Sequence, residues 1–183
     1  MKEDKIYVVA DFGGIRSDAA VIAVRGGIMT LLATEHSTTL GGAELDDALI
    51  DFFAADFQKK FKADAKKTEK SLAKLVAASI ITKKTLSNVQ TASVSVDSLA
   101  EGFDYMSSIN RLRFELVGRK VFSEMIEFIE SLIKKAGLEN LDIDAVLLVG
   151  GTSNIPKVAS TLSLIFPEST EIHAPAIDSK LPN

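Results

Sequence analysis

The feature that most constrains this fold is a change of hydrophobic period along the chain, from strand-like runs at both ends to helical stripes between them. Three short apolar runs, Ile6–Ala10, Ala19–Val24 and Ile28–Thr34, are separated by glycine pairs near the start of the chain. Such runs predict a three-strand meander. A fourth run, Ala145–Val149, predicts a buried strand far along the sequence. Both ends of the chain therefore supply strands.

Three segments between these strands have the spacing of amphipathic helices. Apolar residues recur at steps of three and four over 44–61, over about 69–86 and over about 111–136. Gly137 is the expected stop of the third helix. The second helix is expected to turn four apolar residues toward a core: Leu72, Leu75, Val76 and Ile80.

Two further elements complete the pattern. Apolar and polar residues alternate over 91–97 and again over 103–109, with Gly102 between them, which predicts a hairpin with one solvated face. A last helix is expected to open at Asn154 and Pro156, since proline at the first helical position loses no hydrogen bond.

This order of elements predicts an α/β fold with two lobes. The base consists of residues 1–63 and 111–183, and its mixed sheet carries helices. The segment 64–110 is expected to form a smaller inserted α+β subdomain.

Composition excludes several classes of protein. The 183 residues carry a formal net charge of −4, which is unfavourable for a general nucleic-acid binder. There is no cysteine, and His36 and His173 lie far apart without ligand-like spacing, so a structural metal is not expected. No apolar run is long enough to span a membrane, and the first five residues are mostly charged. We expect an intracellular protein without a membrane partner.

Two of the apolar strands run directly into a glycine pair, at Gly13–Gly14 and at Gly150–Gly151. Without a Cβ, such a pair lets backbone N–H groups approach a phosphate or a nucleotide ring. A plain tight turn is the alternative, and for either pair taken alone it is favoured.

Asp11 and Asp18 bracket the first glycine turn. Mg²⁺ is commonly held by one or two carboxylates together with water, so this pair is a candidate metal site. The alternative is that both side chains cap the turn.

A basic stretch lies between Lys59 and Lys84, where nine lysines stand against two acidic residues. A solvated helix face is the favoured interpretation, with a polyanion site as the alternative. At its end, Lys83 and Lys84 lie with Ser87 in a small donor cluster that suits a nucleotide.

Five ordered motifs resemble those of the heat shock protein 70 (DnaK-type) family, in the second lobe of its actin-like ATPase domain. They are Asp11-Phe12-Gly13-Gly14-Ile15-Arg16-Ser17-Asp18, Leu40-Gly41-Gly42-Ala43-Glu44-Leu45-Asp46, Lys83-Lys84-Thr85-Leu86-Ser87, Ser108-Ile109-Asn110-Arg111-Leu112-Arg113-Phe114-Glu115 and Val149-Gly150-Gly151-Thr152-Ser153-Asn154-Ile155-Pro156-Lys157. The resemblance implies ATP or ADP with Mg²⁺ as ligand. It places nucleotide contacts at Gly13, Gly14, Arg16, Lys83, Lys84, Ser87, Gly150, Gly151 and Asn154, with the metal near Asp11 and Asp18.

The departures from the family pattern concern the phosphate loop first. Ile15 and Arg16 stand where the family has a third glycine and a threonine that contact the reacting phosphate. A β-branched residue at a positive φ would be strained by about 1–2 kcal/mol. Loss of one precise transition-state contact typically slows a reaction about 100-fold or more. We therefore assign no catalytic residue and expect a degenerate ATPase.

The residues that contact the ribose and the adenine in the family are also only partly retained. Ile80 replaces a glutamate that grips the ribose, and Asn154 replaces an arginine that flanks the adenine. Lys84 replaces another arginine, which keeps the charge and loses the stacking geometry. We expect weak or altered nucleotide binding, and weak or no binding by this chain alone, since the family binds ATP between two lobes.

Residues 8–18 and 79–87 are similar to an atypical fungal branch of the family that belongs to a ribosome-associated complex. This narrower resemblance implies a zuotin-like J-domain protein as partner, ribosome contact through that partner, and a conventional heat shock protein 70 that receives nascent chains in the cytoplasm. Two alternatives stay open: a working ATPase of the same family, and a scaffold that binds no nucleotide.

Overall fold

The computed structural model describes residues 4–175. The two ends of the predicted base, residues 1–3 and 176–183, lie outside the described residues. In chain order the elements are β1 (Lys5–Phe12), β2 (Ser17–Arg25), β3 (Ile28–Ser37), α1 (Gly42–Phe61), α2 (Glu69–Asn88), β4 (Thr91–Ala100), β5 (Phe103–Asn110), α3 (Arg111–Val117), α4 (Arg119–Lys135), β6 (Ala145–Val149), α5 (Pro156–Leu162) and β7 (Glu171–His173). Short 3-10 turns occupy Asn140–Asp142 and Gly151–Asn154. Within the described part of the chain, no helix is long and apolar enough to cross a membrane.

The chain divides into two compact units. Unit 1 contains the residues up to Gly42 and those from Lys120 onward, and unit 2 is Ala43–Arg119. The segment predicted as an insertion, 64–110, lies entirely within unit 2. Where an inserted subdomain begins and ends stays a prediction.

Unit 1 is built on a five-stranded sheet in the order β3-β2-β1-β6-β7. Strands β1, β2 and β3 pair antiparallel, whereas β6 pairs parallel with β1 and with β7. The predicted meander, the buried strand β6 and the mixed α/β class are confirmed. Strand β7 was not predicted, because its three residues are too few to show a period.

The hairpin between β2 and β3 turns at two glycines with positive φ, Gly26 at 55° and Gly27 at 87°. This is the conformation that a two-residue hairpin turn requires. The register shifts by one residue between Val21 and Ile22. Because of this bulge, Asp18 lies opposite His36.

Helix α4 buries one face in unit 1, and its Phe128 ring lies 6.2 Å from the ring of Phe12 on β1. The prediction of one helix over 111–136 is wrong, because the chain breaks at Gly118, which caps α3. Glycine costs about 1 kcal/mol relative to alanine inside a helix, so a break there is inexpensive. Gly137 ends α4 as predicted, with a φ of 72° and its N–H bonded to the Lys134 carbonyl.

In unit 2, α2 packs on the hairpin of β4 and β5, and Tyr105 of β5 lies fully buried against Phe53 and Phe57 of α1. The predicted core face of α2 is wrong in part, since Leu72 is exposed. Only Leu75 of the predicted set is fully buried. The face that is buried combines two leucines with three small polar residues: Ser71, Leu75, Ser79, Thr82 and Leu86.

Asp56 of α1 is the acceptor at the centre of a hydrogen-bonded network in unit 2. Its Oδ2 accepts from the Tyr105 hydroxyl at 2.8 Å, the Ser107 hydroxyl at 3.2 Å and the Lys60 ammonium at 2.8 Å. Burial acts to raise the pKa of Asp56, but hydrogen bonds from Lys60, Tyr105 and Ser107 outweigh it and lower that pKa below its usual value. The ionised carboxylate therefore stabilises this unit.

Replacing Asp56 by asparagine is expected to lower the free energy of unfolding at pH 7 by about 1–2 kcal/mol, because hydrogen bonds to a charged group are lost. The contribution of a carboxyl whose folded pKa is lowered is present above the unfolded pKa of about 4 and is lost as pH falls below it. Urea unfolding between pH 7 and pH 3 should therefore show that the difference in free energy of unfolding between wild type and variant becomes smaller as the pH falls. Exposed Asp97 of β4 offers the control, since Asp97→Asn should leave stability within about 0.5 kcal/mol at every pH. A difference that stays constant with pH would contradict a role for the charge.

Candidate functional site

The turn between β1 and β2 is held by backbone hydrogen bonds. The N–H of Gly13 donates to the carbonyl of Arg16 at 3.0 Å. The carbonyl of Gly13 in turn accepts from the N–H of Gly42 at 3.0 Å and from the hydroxyl of Thr152 at 2.8 Å. A Cβ on Gly13 would lie 2.8 Å from the Arg16 carbonyl oxygen, so this close turn needs glycine.

Gly41 lies directly behind the same turn. A Cβ there would stand 2.9 Å from the carbonyl oxygens of both Gly13 and Gly14, closer than real Cβ contacts. By contrast, a Cβ on Gly14 would meet nothing within 4 Å. Packing therefore requires glycine at positions 13 and 41, whereas at position 14 it leaves room for a ligand.

The second glycine pair shows the same asymmetry. Gly150 has a φ of 87°, and a Cβ there would overlap Oδ1 of Asp11 and lie 2.5 Å from the Phe12 carbonyl oxygen. A Cβ on Gly151 would meet no atom within 4 Å, and the φ of Gly151 is ordinary. Gly150 is thus needed for close packing on β1, and Gly151 has no such structural requirement.

Ile15 does not have a positive φ, so the backbone strain considered for this position does not arise. Its side chain is 75% exposed. The turn accommodates isoleucine by presenting the side chain to solvent. Isoleucine in place of the family's glycine at position 15 therefore changes the exposed surface of the turn and does not strain its backbone.

The two acidic residues of the predicted metal site are brought together, since Asp11 and Asp18 are direct partners across β1 and β2. Asp18 already has two partners within unit 1. His36 Nδ1 donates to its Oδ1 at 2.6 Å, and Arg16 Nε lies 3.4 Å from its Oδ2. Among residues 4–175, no group of three or more histidine or carboxylate side chains could hold a metal ion.

An open cavity of about 590 Å³ lies beside this acidic pair, on unit 1. Asp11, Asp18 and His36 line it together with Val149 and Lys135. The Lys135 ammonium donates to the Thr34 carbonyl at 2.8 Å. The wall therefore combines charged groups of both signs with apolar surface, as ligand sites do.

Asn154 lies beside the second glycine pair and its side chain bonds back to its own turn. Its Nδ2 donates to the Gly151 carbonyl at 3.1 Å, while the side chain stays exposed. Asn154 thus lies outside α5, which begins at Pro156 after Ile155 as N-cap.

The three remaining predicted site residues, Lys83, Lys84 and Ser87, lie on α2 in unit 2. Lys83 forms an ion pair of 2.7 Å with Asp46, and both side chains are largely buried. Burial raises the pKa of Asp46 despite the hydrogen bond from Lys83. Lys84 is exposed, and the Ser87 hydroxyl donates to the Lys83 carbonyl at 3.2 Å.

Three residues of these clusters were not predicted from the sequence: His36, Thr152 and Asp46. A lone histidine gives no sequence signal, and the pairing of His36 with Asp18 depends on a bulge. Thr152 lies inside the motif after the second glycine pair, so its position could have indicated it. Asp46 also lies within a motif, but its pairing with Lys83 joins residues 37 apart.

Comparison with known proteins adds the family. The sequence profile of the Hsp70 protein family matches residues 1–173. The chain is 59% identical over 174 residues to the ribosome-associated complex subunit SSZ1 of Saccharomyces cerevisiae, which covers 95% of the chain and 32% of that protein.

Two further relatives are similar over the same region. A heat shock protein 70 homolog of Schizosaccharomyces pombe is 48% identical over 93% of the chain and 30% of the relative. A ribosome-associated molecular chaperone of Eremothecium gossypii is 37% identical over 90% of the chain and 27% of the relative. The chain thus spans about a third of the length of the curated relatives it matches.

Proposed function

Because the chain belongs to the Hsp70 protein family, we propose that it is the second lobe of a nucleotide-binding domain that binds ATP or ADP without efficient hydrolysis. The nucleotide-binding domain of this family has an actin-like ATPase fold and in general binds nucleotide with Mg²⁺. In this proposal the lobe regulates a chaperone-like protein through nucleotide binding and partner contact.

The observation that carries the proposal is the glycine turn after β1. Its backbone is fixed by the Gly13 hydrogen bonds and by the close approach of Gly41, while Gly14 and Gly151 face open space. Backbone N–H groups of such turns bind phosphate oxygens. The proposed nucleotide contacts are the nine assigned from the family motifs, among them Gly13 and Arg16.

Poor hydrolysis is proposed from the side chains of the same turn. Arg16 is a long cation, 69% exposed, where the family pattern has a hydroxyl. Such a cation can attract phosphate, but it does not supply a positioned hydroxyl to the transition state. The chemistry of the turn therefore supports binding better than turnover.

Partners and location follow from the relatives and belong to the proposal. SSZ1 is named as a subunit of a ribosome-associated complex, and the Eremothecium gossypii relative as a ribosome-associated molecular chaperone. We propose that this protein works on ribosomes in the cytoplasm with a J-domain protein, which supplies most of the ribosome contact. A conventional Hsp70 would then receive the nascent chain.

Lys84→Ala in the full-length protein is expected to weaken ATP binding about tenfold, the effect of losing one charged contact. Lys70→Ala is the matched control, because Lys70 is an exposed lysine on the same helix with no assigned role. Isothermal titration with ATP distinguishes the two variants. Equal affinities would remove Lys84 from the site, and no ATP binding by the wild type would favour the scaffold alternative.

The same titration applies to the 183-residue chain alone. Because the family binds nucleotide between two lobes, the isolated chain is expected to bind ATP at least about tenfold more weakly than the full-length protein. Submicromolar affinity of the chain would show that the contacts are divided differently.

A further inference from the structure

The surroundings of Asp18 do not fit a divalent cation. Mg²⁺ takes oxygen ligands in a nearly octahedral arrangement and gives up its waters reluctantly. Each oxygen of Asp18 already has a cationic or N–H partner from the chain itself, His36 at 2.6 Å and Arg16 at 3.4 Å. Asp11 is the carboxylate directly across the strands, and its Oδ1 lies against Gly150. An ion bound directly to either oxygen of Asp18 would compete with the partner of that oxygen.

From this geometry we infer that Arg16 and His36 take the place of a divalent cation at Asp18, so that the protein binds nucleotide with an affinity that depends little on Mg²⁺. The inference rests on the proposed nucleotide binding. It assigns Arg16 as the group that neutralises the nucleotide phosphates, and His36 as the positioning residue that holds Asp18.

Arg16 is suited to this role by its chemistry and its position. The guanidinium is always protonated and presents a planar fork of donors that matches phosphate oxygens. Its Nε is the atom that contacts Asp18, and 69% of the side chain faces solvent. The two terminal nitrogens of the guanidinium can therefore contact an anion while Nε keeps its contact with Asp18. Arg16 lies in the same turn as Gly13 and Gly14.

His36 holds Asp18, the residue that Arg16 contacts, through the other carboxylate oxygen. It reaches Asp18 because the bulge between Val21 and Ile22 shifts the register of β3 by one residue. The hydrogen bond from Nδ1 occupies Oδ1 of Asp18 and leaves Oδ2 turned toward Arg16. Asp18 is thereby committed to the chain's own donors.

A divalent cation is disfavoured at this position for an electrostatic reason as well. Like charges at short range repel, and a positive ion beside Asp18 would stand next to the Arg16 guanidinium. An anion beside the turn meets the Arg16 guanidinium as a favourable charge, whereas the cavity itself is lined by three carboxylates, Asp11, Asp18 and Glu35, and by one ammonium, Lys135. The positive charge that balances the phosphates is then supplied by the Arg16 side chain.

The experiment measures ATP affinity of the full-length protein by isothermal titration, once in excess Mg²⁺ and once in excess EDTA. The wild type is expected to change by less than about threefold between the two conditions, well under the tenfold that corresponds to about 1.4 kcal/mol. Arg16→Gln is expected to lose about 10- to 100-fold in EDTA, the range for one hydrogen bond to a charged group, and to recover in Mg²⁺.

Arg25→Gln is the matched control. Arg25 is an exposed arginine on the same strand, seven residues from Asp18 and so roughly 20 Å away. The Arg25→Gln variant should bind ATP like the wild type, both in Mg²⁺ and in EDTA. Wild-type binding that requires Mg²⁺ would overturn the inference and leave the proposed function intact. No ATP binding in either condition would overturn both.

Discussion

Gly150→Ala is expected to destabilise the protein by about 2–4 kcal/mol, the sum of left-handed backbone strain and overlap with packed atoms. The φ of Gly150 is 87°, and the new methyl group would collide with the Asp11 carboxylate and the Phe12 carbonyl. Both of these groups belong to β1, the central strand of the sheet in unit 1. The backbone of β1 or of the β6 end must move to admit the methyl group.

Gly151→Ala is the neighbouring control. No atom lies within 4 Å of its Cβ position and its φ is not positive. Alanine there is expected to raise stability by about 0.4–1 kcal/mol, because it reduces the freedom of the unfolded chain. Urea unfolding of the two variants should therefore give changes of opposite sign. Equal stabilities would contradict the close approach of Gly150 to β1.

ATP titration of Gly151→Ala addresses the two interpretations of the second glycine pair. If the pair only makes a turn, this variant should bind ATP as the wild type does. If Gly151 contacts the nucleotide, the added methyl group should weaken binding without loss of stability. We expect the second result.

Restoring the family residues in the first turn should have the largest effect on chemistry. The double variant Ile15→Gly, Arg16→Thr is expected to raise single-turnover ATP hydrolysis by the full-length protein about 100-fold or more in Mg²⁺, the usual size of one precise transition-state contact. The structure favours a chemical reason over a conformational one, because Ile15 is exposed and unstrained. Arg16→Thr should therefore contribute more than Ile15→Gly.

The control for this gain is the pair of single variants, with ATP binding measured for each. Gly13 bonds to the backbone carbonyl of residue 16, which none of the substitutions removes, so the turn should fold alike in all of them. If the double variant binds ATP to saturation and still does not hydrolyse it, the defect lies outside this turn. The assignment of lost activity to positions 15 and 16 would then be wrong.

Much of the fold follows from local patterns in the sequence. The glycine pair at 26–27 and the apolar runs around it predict the β2–β3 hairpin, and periodicity predicts α2 from its first residue, Glu69. These features depend on neighbouring residues alone. Turn chemistry and amphipathic spacing are local properties of the chain.

The predictions from sequence fail where tertiary packing determines which residues are buried and where a helix ends. On α2, the buried stripe runs through Ser71 and Ser79, and Leu72 is exposed, so the apolar pattern identifies the buried face only in part. At Gly118 a single glycine separates two helices that share one apolar stripe. Neither outcome is visible in the period of the sequence.

The candidate site shows the same limit. The motifs indicate Asp18 and Lys83, but neither of their partners. A hairpin without a bulge would place Glu35 opposite Asp18, and the shift of one residue brings His36 there instead. Asp46 meets Lys83 only because α1 and α2 come together within unit 2. Register and tertiary contact set the charge balance of these clusters.

The central claim is binding without efficient hydrolysis, and single-turnover hydrolysis of bound ATP by the full-length wild type tests it most directly. The protein is saturated with labelled ATP in Mg²⁺, and hydrolysis is followed with and without the proposed J-domain partner. We predict that the nucleotide stays bound and intact in both reactions. Conversion to ADP at a rate that the partner stimulates would contradict the account and identify an ordinary chaperone ATPase.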